Sequence, residues 1–91
     1  MADPASRTVT RGGEPVSLTP KAFDLMLALV RRDGAVATRI DLLKEVWGQS
    51  GFVLSRTVDS HMAELRRKIE DDPAEPRYFV TVWKVGYRFD P

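Results

Sequence analysis

The stretch SRTVDSHMAELRRKIEDD, residues 55–72, decides how this chain is read. At 3.6 residues per turn, Val58, Met62, Leu65 and Ile69 fall on one narrow stripe of a helix running to about residue 71. That stripe is core. Opposite it lie Arg56, Thr57, Ser60, Glu64 and Arg67, with His61 and Lys68 on one shoulder and Arg66 on the other. A polar back of this kind is most simply a solvated face. It also has the ingredients of a reading face: short polar side chains towards the N-terminal half, where a backbone must approach closely, and basic ones where phosphates would pass.

Outward from this helix, the chain is punctuated by caps and turns. Thr8 to Thr10 and Val16 to Leu18 alternate around Gly12-Gly13 and read as a short hairpin, with Pro15 on an edge. Residues 1–6 show no periodicity and read as a tail. Thr19-Pro20 starts a first helix, with Phe23, Met26, Leu27 and Val30 at helical spacing. It should end near Asp33-Gly34, with Arg31 and Arg32 in its last turn. Residues 35–37 form a link or a stub of strand. Thr38 caps the second helix, with Asp41 in the acidic place of a capping box. Leu42, Leu43, Val46 and Trp47 form its apolar side, and Gly48 stops it. Residues 49–54 read as a loop, and Ser55 caps the third helix. Pro73 and Pro76 keep the following stretch non-helical. Residues 78–82 and 86–89 read as two strands joined by a tight turn at Trp83-Lys84-Val85. The fold class is α+β: a short hairpin, three helices and a closing hairpin.

Composition narrows the function. At 91 residues the chain holds one domain, and a hydrophobic share of 43% supports a modest core. There is no cysteine, which excludes disulfides and thiolate sites and fits a reducing compartment. No apolar run is long enough for a membrane span. Fourteen basic against 13 acidic residues is too even a balance to imply nucleic acid by itself. The distribution is less even. Arg56, Arg66, Arg67 and Lys68 outnumber Asp59 and Glu64 on the third helix, and Arg77, Lys84 and Arg88 outnumber Asp90 in the closing hairpin. Between them Glu70, Asp71, Asp72 and Glu75 form an acidic knot with no basic neighbour in sequence. Enzyme chemistry finds no support: there is no phosphate-cradling glycine motif, no nucleophile with a base and no paired carboxylates. His61 is the only histidine, with no second metal ligand at helical spacing. Helix, short link and longer polar-faced helix is the helix-turn-helix plan, and the closing hairpin would be its wing.

The segments VSLTPKAFDLM (16–26), VWG (46–48), SRTVDSH (55–61), LRRK (65–68) and TVWKVGYRF (81–89) resemble the OmpR/PhoB winged-helix DNA-binding domain, a likeness spanning about residues 7–90. In that family the domain is usually the output half of a two-component response regulator, behind a receiver domain. The resemblance implies a cytoplasmic winged helix-turn-helix over residues 7–91, with a reduced N-terminal sheet. It implies the third helix in the major groove of double-stranded DNA, in direct repeats, and no cofactor. It places Arg56, Thr57, Ser60, His61 and Glu64 towards DNA and Arg66 or Arg67 on phosphates. Arg39 and Trp47 match backbone-contacting positions. Trp83 and Lys84 fall at the wing, and Thr81 and Tyr87 add phosphate bonds. Residues 49–54 match a segment that touches RNA polymerase in activators. A receiver-free domain would be monomeric alone and pair on DNA. Two departures stand out. Ala63-Glu64 occupies positions where some relatives carry two arginines; Glu64 would accept from cytosine N4. Only about two strands fit before Thr19, where the family usually has four. The alternative function is a winged helix that docks on a protein partner without reading DNA; it would favour an apolar outer face on the third helix.

Overall fold

The structure is a computed structural model that describes residues 2–3, 8–48 and 55–90, with Ala2, Asp3, Thr8 and Ser55 described by backbone only. The element order is β1 (Ala2–Asp3), β2 (Thr8–Arg11), β3 (Glu14–Val16), α1 (Pro20–Val30), β4 (Ala37–Thr38), α2 (Arg39–Trp47), α3 (Ser55–Ile69), β5 (Phe79–Val82) and β6 (Gly86–Phe89).

β2 and β3 pair antiparallel with Val9 opposite Val16 and Arg11 opposite Glu14. Gly12 and Gly13 turn the chain with φ of 58° and 84°, the double left-handed conformation that matches strand twist. Ala2 and Asp3 add a third strand on the far side of β2, opposite Val9 and Thr8. This corrects the sequence reading of residues 1–6 as a tail. A two-residue strand leaves no alternation to read, because its pairing partner supplies the order. The N-terminal sheet is thus short, but three-stranded.

α1 begins as its caps dictate. Thr19 is extended, accepts from the Ala22 N–H at 3.3 Å, and hands over to Pro20 in the first turn. Its burial is wider than one stripe: Ala22, Phe23, Leu25, Met26, Leu27, Ala28 and Leu29 are all buried, whereas Val30 is 37% exposed. The helix is clasped by other elements on most sides. It stops at Val30, before the expected end, and a turn follows in which Asp33 and Gly34 have φ of 50° and 90°. Arg32 therefore lies beyond the last turn. It still donates to the Ala28 carbonyl at 2.6 Å and pairs with Glu45 of α2.

The stub at residues 35–37 resolves into β4, which pairs with β6: Ala37 opposite Tyr87, Thr38 opposite Gly86. A Cβ on Gly86 would lie 2.0 Å from the Ala37 carbonyl oxygen. Glycine at this position serves close backbone approach. Thr38 then caps α2, accepting from the Asp41 N–H at 3.0 Å while Asp41 accepts from the Thr38 N–H.

α3 buries Val58, Met62 and Leu65 completely. It packs on α1 and α2, and each such side chain is worth about 1.5–3 kcal/mol of burial. β5 and β6 form the wing, with Phe79 opposite Phe89 and Val82 opposite Gly86, and a turn in which Lys84 has φ of 65°. Phe79 is buried and sits 5.4 Å from Phe89, ring centre to ring centre.

The acidic knot has partners after all. Glu70 is only 2% exposed. Its carboxylate accepts the backbone N–H groups of Arg77, Tyr78 and Phe79, all at 2.8 Å. Asp71 pairs with Arg11 of β2, sixty residues away in the chain. Glu70 thereby ties the end of α3 to the start of the wing.

Candidate nucleic-acid interface

With one side of α3 buried, Arg56, Ser60, Ala63, Arg67 and Lys68 are left exposed. Ser60 folds its hydroxyl back onto the Arg56 carbonyl at 3.1 Å, and Ala63 offers only a methyl. The centre of the exposed face is therefore low, and its flanks carry arginine. This shape admits close approach of another surface to the helix axis. His61 lies on the shoulder. Its Nδ1 donates to the Thr57 carbonyl at 2.9 Å, which orients Nε2 away as the acceptor of the neutral ring. The ring meets Trp47 of α2 edge-on, centroids 5.0 Å apart. Trp47 is half-buried, so it packs and remains reachable.

Other residues that the resemblance placed towards DNA, Glu64, Arg66, Thr81, Tyr87 and Arg39, also make internal bonds. Glu64 accepts from both the N–H and the hydroxyl of Thr19, at 3.2 and 3.1 Å, stapling α3 to the start of α1. This is a second cap on α1, and it engages one oxygen of the carboxylate, Oε2. Arg66 donates through Nε and Nη2 to the Phe79 carbonyl at 3.0 and 2.8 Å, and to the Thr81 hydroxyl at 2.8 Å. It fastens the wing to α3, so of the two arginines Arg67 is the one turned outward. Thr81 is exposed and keeps its own hydroxyl proton for a further acceptor. Tyr87 is 4% exposed and its hydroxyl donates to Asp59. Burial, and then that hydrogen bond, hold its phenol above the ordinary value of 10.0. The hydroxyl proton of Tyr87 is therefore engaged inside the domain. Arg39 donates its Nε–H to the same Asp59 oxygen at 2.9 Å, and that hydrogen bond raises the guanidinium pKa above its ordinary value.

At the wing, Trp83 is 81% exposed, Lys84 is exposed beside it, and Val85 is 46% exposed. The turn geometry presents them together at the tip. The expectation for residues 49–54 and the cap at Ser55 lie outside the described residues and side chains.

Sequence reasoning missed Asp59 and Glu70. Asp59 carried a signal: it sits 100° from Val58 on the helix wheel, at the border between the buried stripe and the outer face. Glu70 carried another, an acid at a helix C-terminus where the dipole opposes it. Such a residue needs compensating donors. Among the described residues no group of three or more His, Asp or Glu side chains could hold a metal ion, and no helix is long and apolar enough to cross a membrane.

Residues 13–89, which include the whole interface, match the family described as transcriptional regulatory protein, C terminal. The chain belongs to that family. It is 44% identical over 87 residues to the KDP operon transcriptional regulatory protein KdpE of Escherichia coli, covering 96% of this chain and 39% of that protein. It is 45% identical over 89 residues to the DNA-binding response regulator MtrA of Mycolicibacterium paratuberculosis, covering 98% of this chain and 40% of that one. The chain thus spans about two-fifths of the length of these relatives. Among solved structures, the response regulator DrrB of Thermotoga maritima, an OmpR/PhoB homologue, superposes with a TM-score of 0.91 at 39% identity, over 99% of this chain and 41% of that one. The RstA DNA-binding domain of Klebsiella pneumoniae, solved with the RstA box, gives 0.85 at 37% identity, over 96% of this chain and 86% of that one. The winged helix-turn-helix expected from the sequence is the fold of this family member.

Proposed function

We propose that this domain binds double-stranded DNA sequence-specifically, as the output domain of a response-regulator transcription factor. The observation that carries the reading is the two-sidedness of α3: Val58, Met62 and Leu65 are wholly buried, while Arg56, Ser60, Ala63 and Arg67 stand out on the other side. A helix so presented fits the major groove. Low side chains at its centre let the backbone near base edges, and the flanking arginines meet phosphates or guanine. His61 Nε2 offers an acceptor to an exocyclic amine. Trp47 reaches the backbone through its indole N–H, and the wing tip of Trp83 and Lys84 reaches the next groove or its phosphates. Arg39 and Thr81 add phosphate contacts from beside the helix. Glu64, Arg66 and Tyr87 act behind the interface, holding its parts in place. RstA, in complex with the RstA box, lends support by its likeness over nearly the whole chain.

The finer features follow the family resemblance: direct-repeat half-sites, pairing of domains on DNA from a monomeric free state, a contact from residues 49–54 to RNA polymerase, a receiver domain in the parent chain, and a cytoplasmic setting. A second reading, docking on a protein, draws on one observation, the exposed indole of Trp83 beside Val85.

Selection from a random duplex pool separates the two. The enriched site and a scrambled duplex are then compared at several salt concentrations. Enrichment of a repeated half-site is expected. With Arg39, Arg56, Arg67, Lys68 and Lys84 on phosphates, log affinity should fall against log salt with a slope of about −4 to −5. A folded domain that enriches nothing moves the weight to protein docking.

A further inference from the structure

One carboxylate gathers three elements of this domain. Asp59 of α3 accepts, on a single oxygen, the Arg39 Nε–H from α2 at 2.9 Å and the Tyr87 hydroxyl from β6. The Tyr87 ring carries two guanidiniums over it, Arg39 at 5.3 Å and Arg66 at 5.5 Å from its centre. Arg66 is itself fixed to Phe79 and Thr81 of β5. The Arg39 guanidinium is therefore held by its Nε hydrogen bond to Asp59 and by its place over the Tyr87 ring. Among the described residues its ion pair uses Nε alone, so the Nη end of the fork is offered to an outside acceptor. The side chain is 35% exposed, so that end is reachable.

The sign of the charge makes this arrangement informative. Asp59 is 41% exposed on the helix proposed to face DNA. By charge alone, a carboxylate there repels phosphate and lowers affinity. Its geometry does the opposite work, since a guanidinium fixed at Nε meets a phosphate with less loss of rotamer freedom.

We propose that Asp59 is a positioning residue for DNA binding: it aims the Nη groups of Arg39 at a backbone phosphate, and this outweighs its own repulsion. The inference rests on the DNA-binding reading above.

The test is a double-mutant cycle between Asp59→Ala and Arg39→Gln, read as affinity for the selected site. Asp59→Ala alone is expected to weaken binding about ten-fold, the worth of roughly one charge-assisted hydrogen bond, despite removing a negative charge. The salt slope should become shallower by about 0.9, the signature of one lost phosphate contact. In the Arg39→Gln background the same change is expected to reverse sign and strengthen binding, because only the repulsion is left to remove. Asp59→Asn keeps the shape and one acceptor oxygen, and should fall between wild type and Asp59→Ala; it carries the cycle if the alanine variant does not fold. Stronger binding in both backgrounds would overturn the proposal and leave Asp59 as a plain repulsive charge. Weaker binding in both, in step with lost stability and with the salt slope unchanged, would overturn it in favour of a structural role. A wild-type domain with no preferred site would defeat the DNA-binding reading and the proposal with it, and that result needs no variant to see.

Discussion

Removing the Glu70 carboxylate should loosen the wing from the helix that carries it. Glu70 is 2% exposed and accepts three backbone N–H groups at 2.8 Å. A hydrogen bond to a charged group contributes about 1.5–3 kcal/mol net. Three that share one acceptor do not add fully, so Glu70→Ala is expected to cost about 3–5 kcal/mol. A domain of this length has about 5–10 kcal/mol in all, so the alanine variant should lose roughly half of its stability. Glu70→Gln is the more instructive change. Oε2 serves Tyr78 and Phe79, while Oε1 serves only Arg77, which is exposed. A glutamine whose oxygen takes the Oε2 place keeps two of the three bonds, and the Arg77 N–H turns to water. The expected loss is about 1–2 kcal/mol, a melting-temperature drop of about 5–15 °C. Urea unfolding followed by tryptophan fluorescence measures both variants, with the m-value unchanged. Amide exchange at Tyr78 and Phe79 should quicken in the alanine variant before exchange in α1 does. An alanine variant within about 1 kcal/mol of wild type, or a glutamine variant as damaged as alanine, would refute the reasoning.

Gly86→Ala drives a Cβ to 2.0 Å from the Ala37 carbonyl oxygen, so β4 and β6 must part; chemical shifts of Ala37 and Thr38 should leave their strand values, with a stability loss of about 2–4 kcal/mol. Tyr87 has its phenol pKa raised by burial and by Asp59, so its contribution is fully present below pH 10.0 and is lost as pH rises beyond, where the unfolded chain ionises first. Tyr87→Phe should flatten that alkaline decline in urea midpoint while lowering neutral stability by about 1 kcal/mol; an unchanged decline would assign it to other groups. Trp83→Ala, at 81% exposure, should leave stability within about 0.5 kcal/mol yet weaken binding to the selected duplex without altering its salt slope, because the indole carries no charge. Equal affinity would remove Trp83 from the interface.

What the chain discloses about itself depends on the distance over which each signal acts. Thr19-Pro20 and the Thr38–Asp41 capping box are complete within four residues, and both form as read. The Val58, Met62, Leu65 stripe is a periodicity, and it is buried. β1 and β4 were hard to see because two residues have no pattern, and their order comes from pairing partners: Val9 for β1, and Gly86, forty-eight residues on from Thr38, for β4. The interface was half legible for the same reason. Composition places Arg56 and Arg67 on an outer face, but charge alone does not tell Arg67 from Arg66, whose partner is the Phe79 carbonyl thirteen residues on. Glu64 reads as an outer residue until Thr19, forty-five residues earlier, is brought against it. The acidic knot looked unpartnered because its donors are backbone groups and Arg11, which no side-chain pattern displays.

Thr38 belongs to two elements at once: it closes β4 against Gly86 of the wing, and its side chain opens α2 by accepting from Asp41 at 3.0 Å. The wing is therefore braced on two sides. A torque at its tip passes through Thr38 into the first turn of α2, and through Arg66, Asp59 and Glu70 into α3. On the DNA-binding reading proposed above, such a body would work as a calliper: the gap between its jaws, α3 and the wing tip, is set before any DNA arrives. A duplex whose grooves already lie at that gap is gripped at no cost, and one that must bend to fit pays in elastic energy. Two sites with the same bases under α3 will then differ in affinity through the stiffness of base steps that no side chain touches.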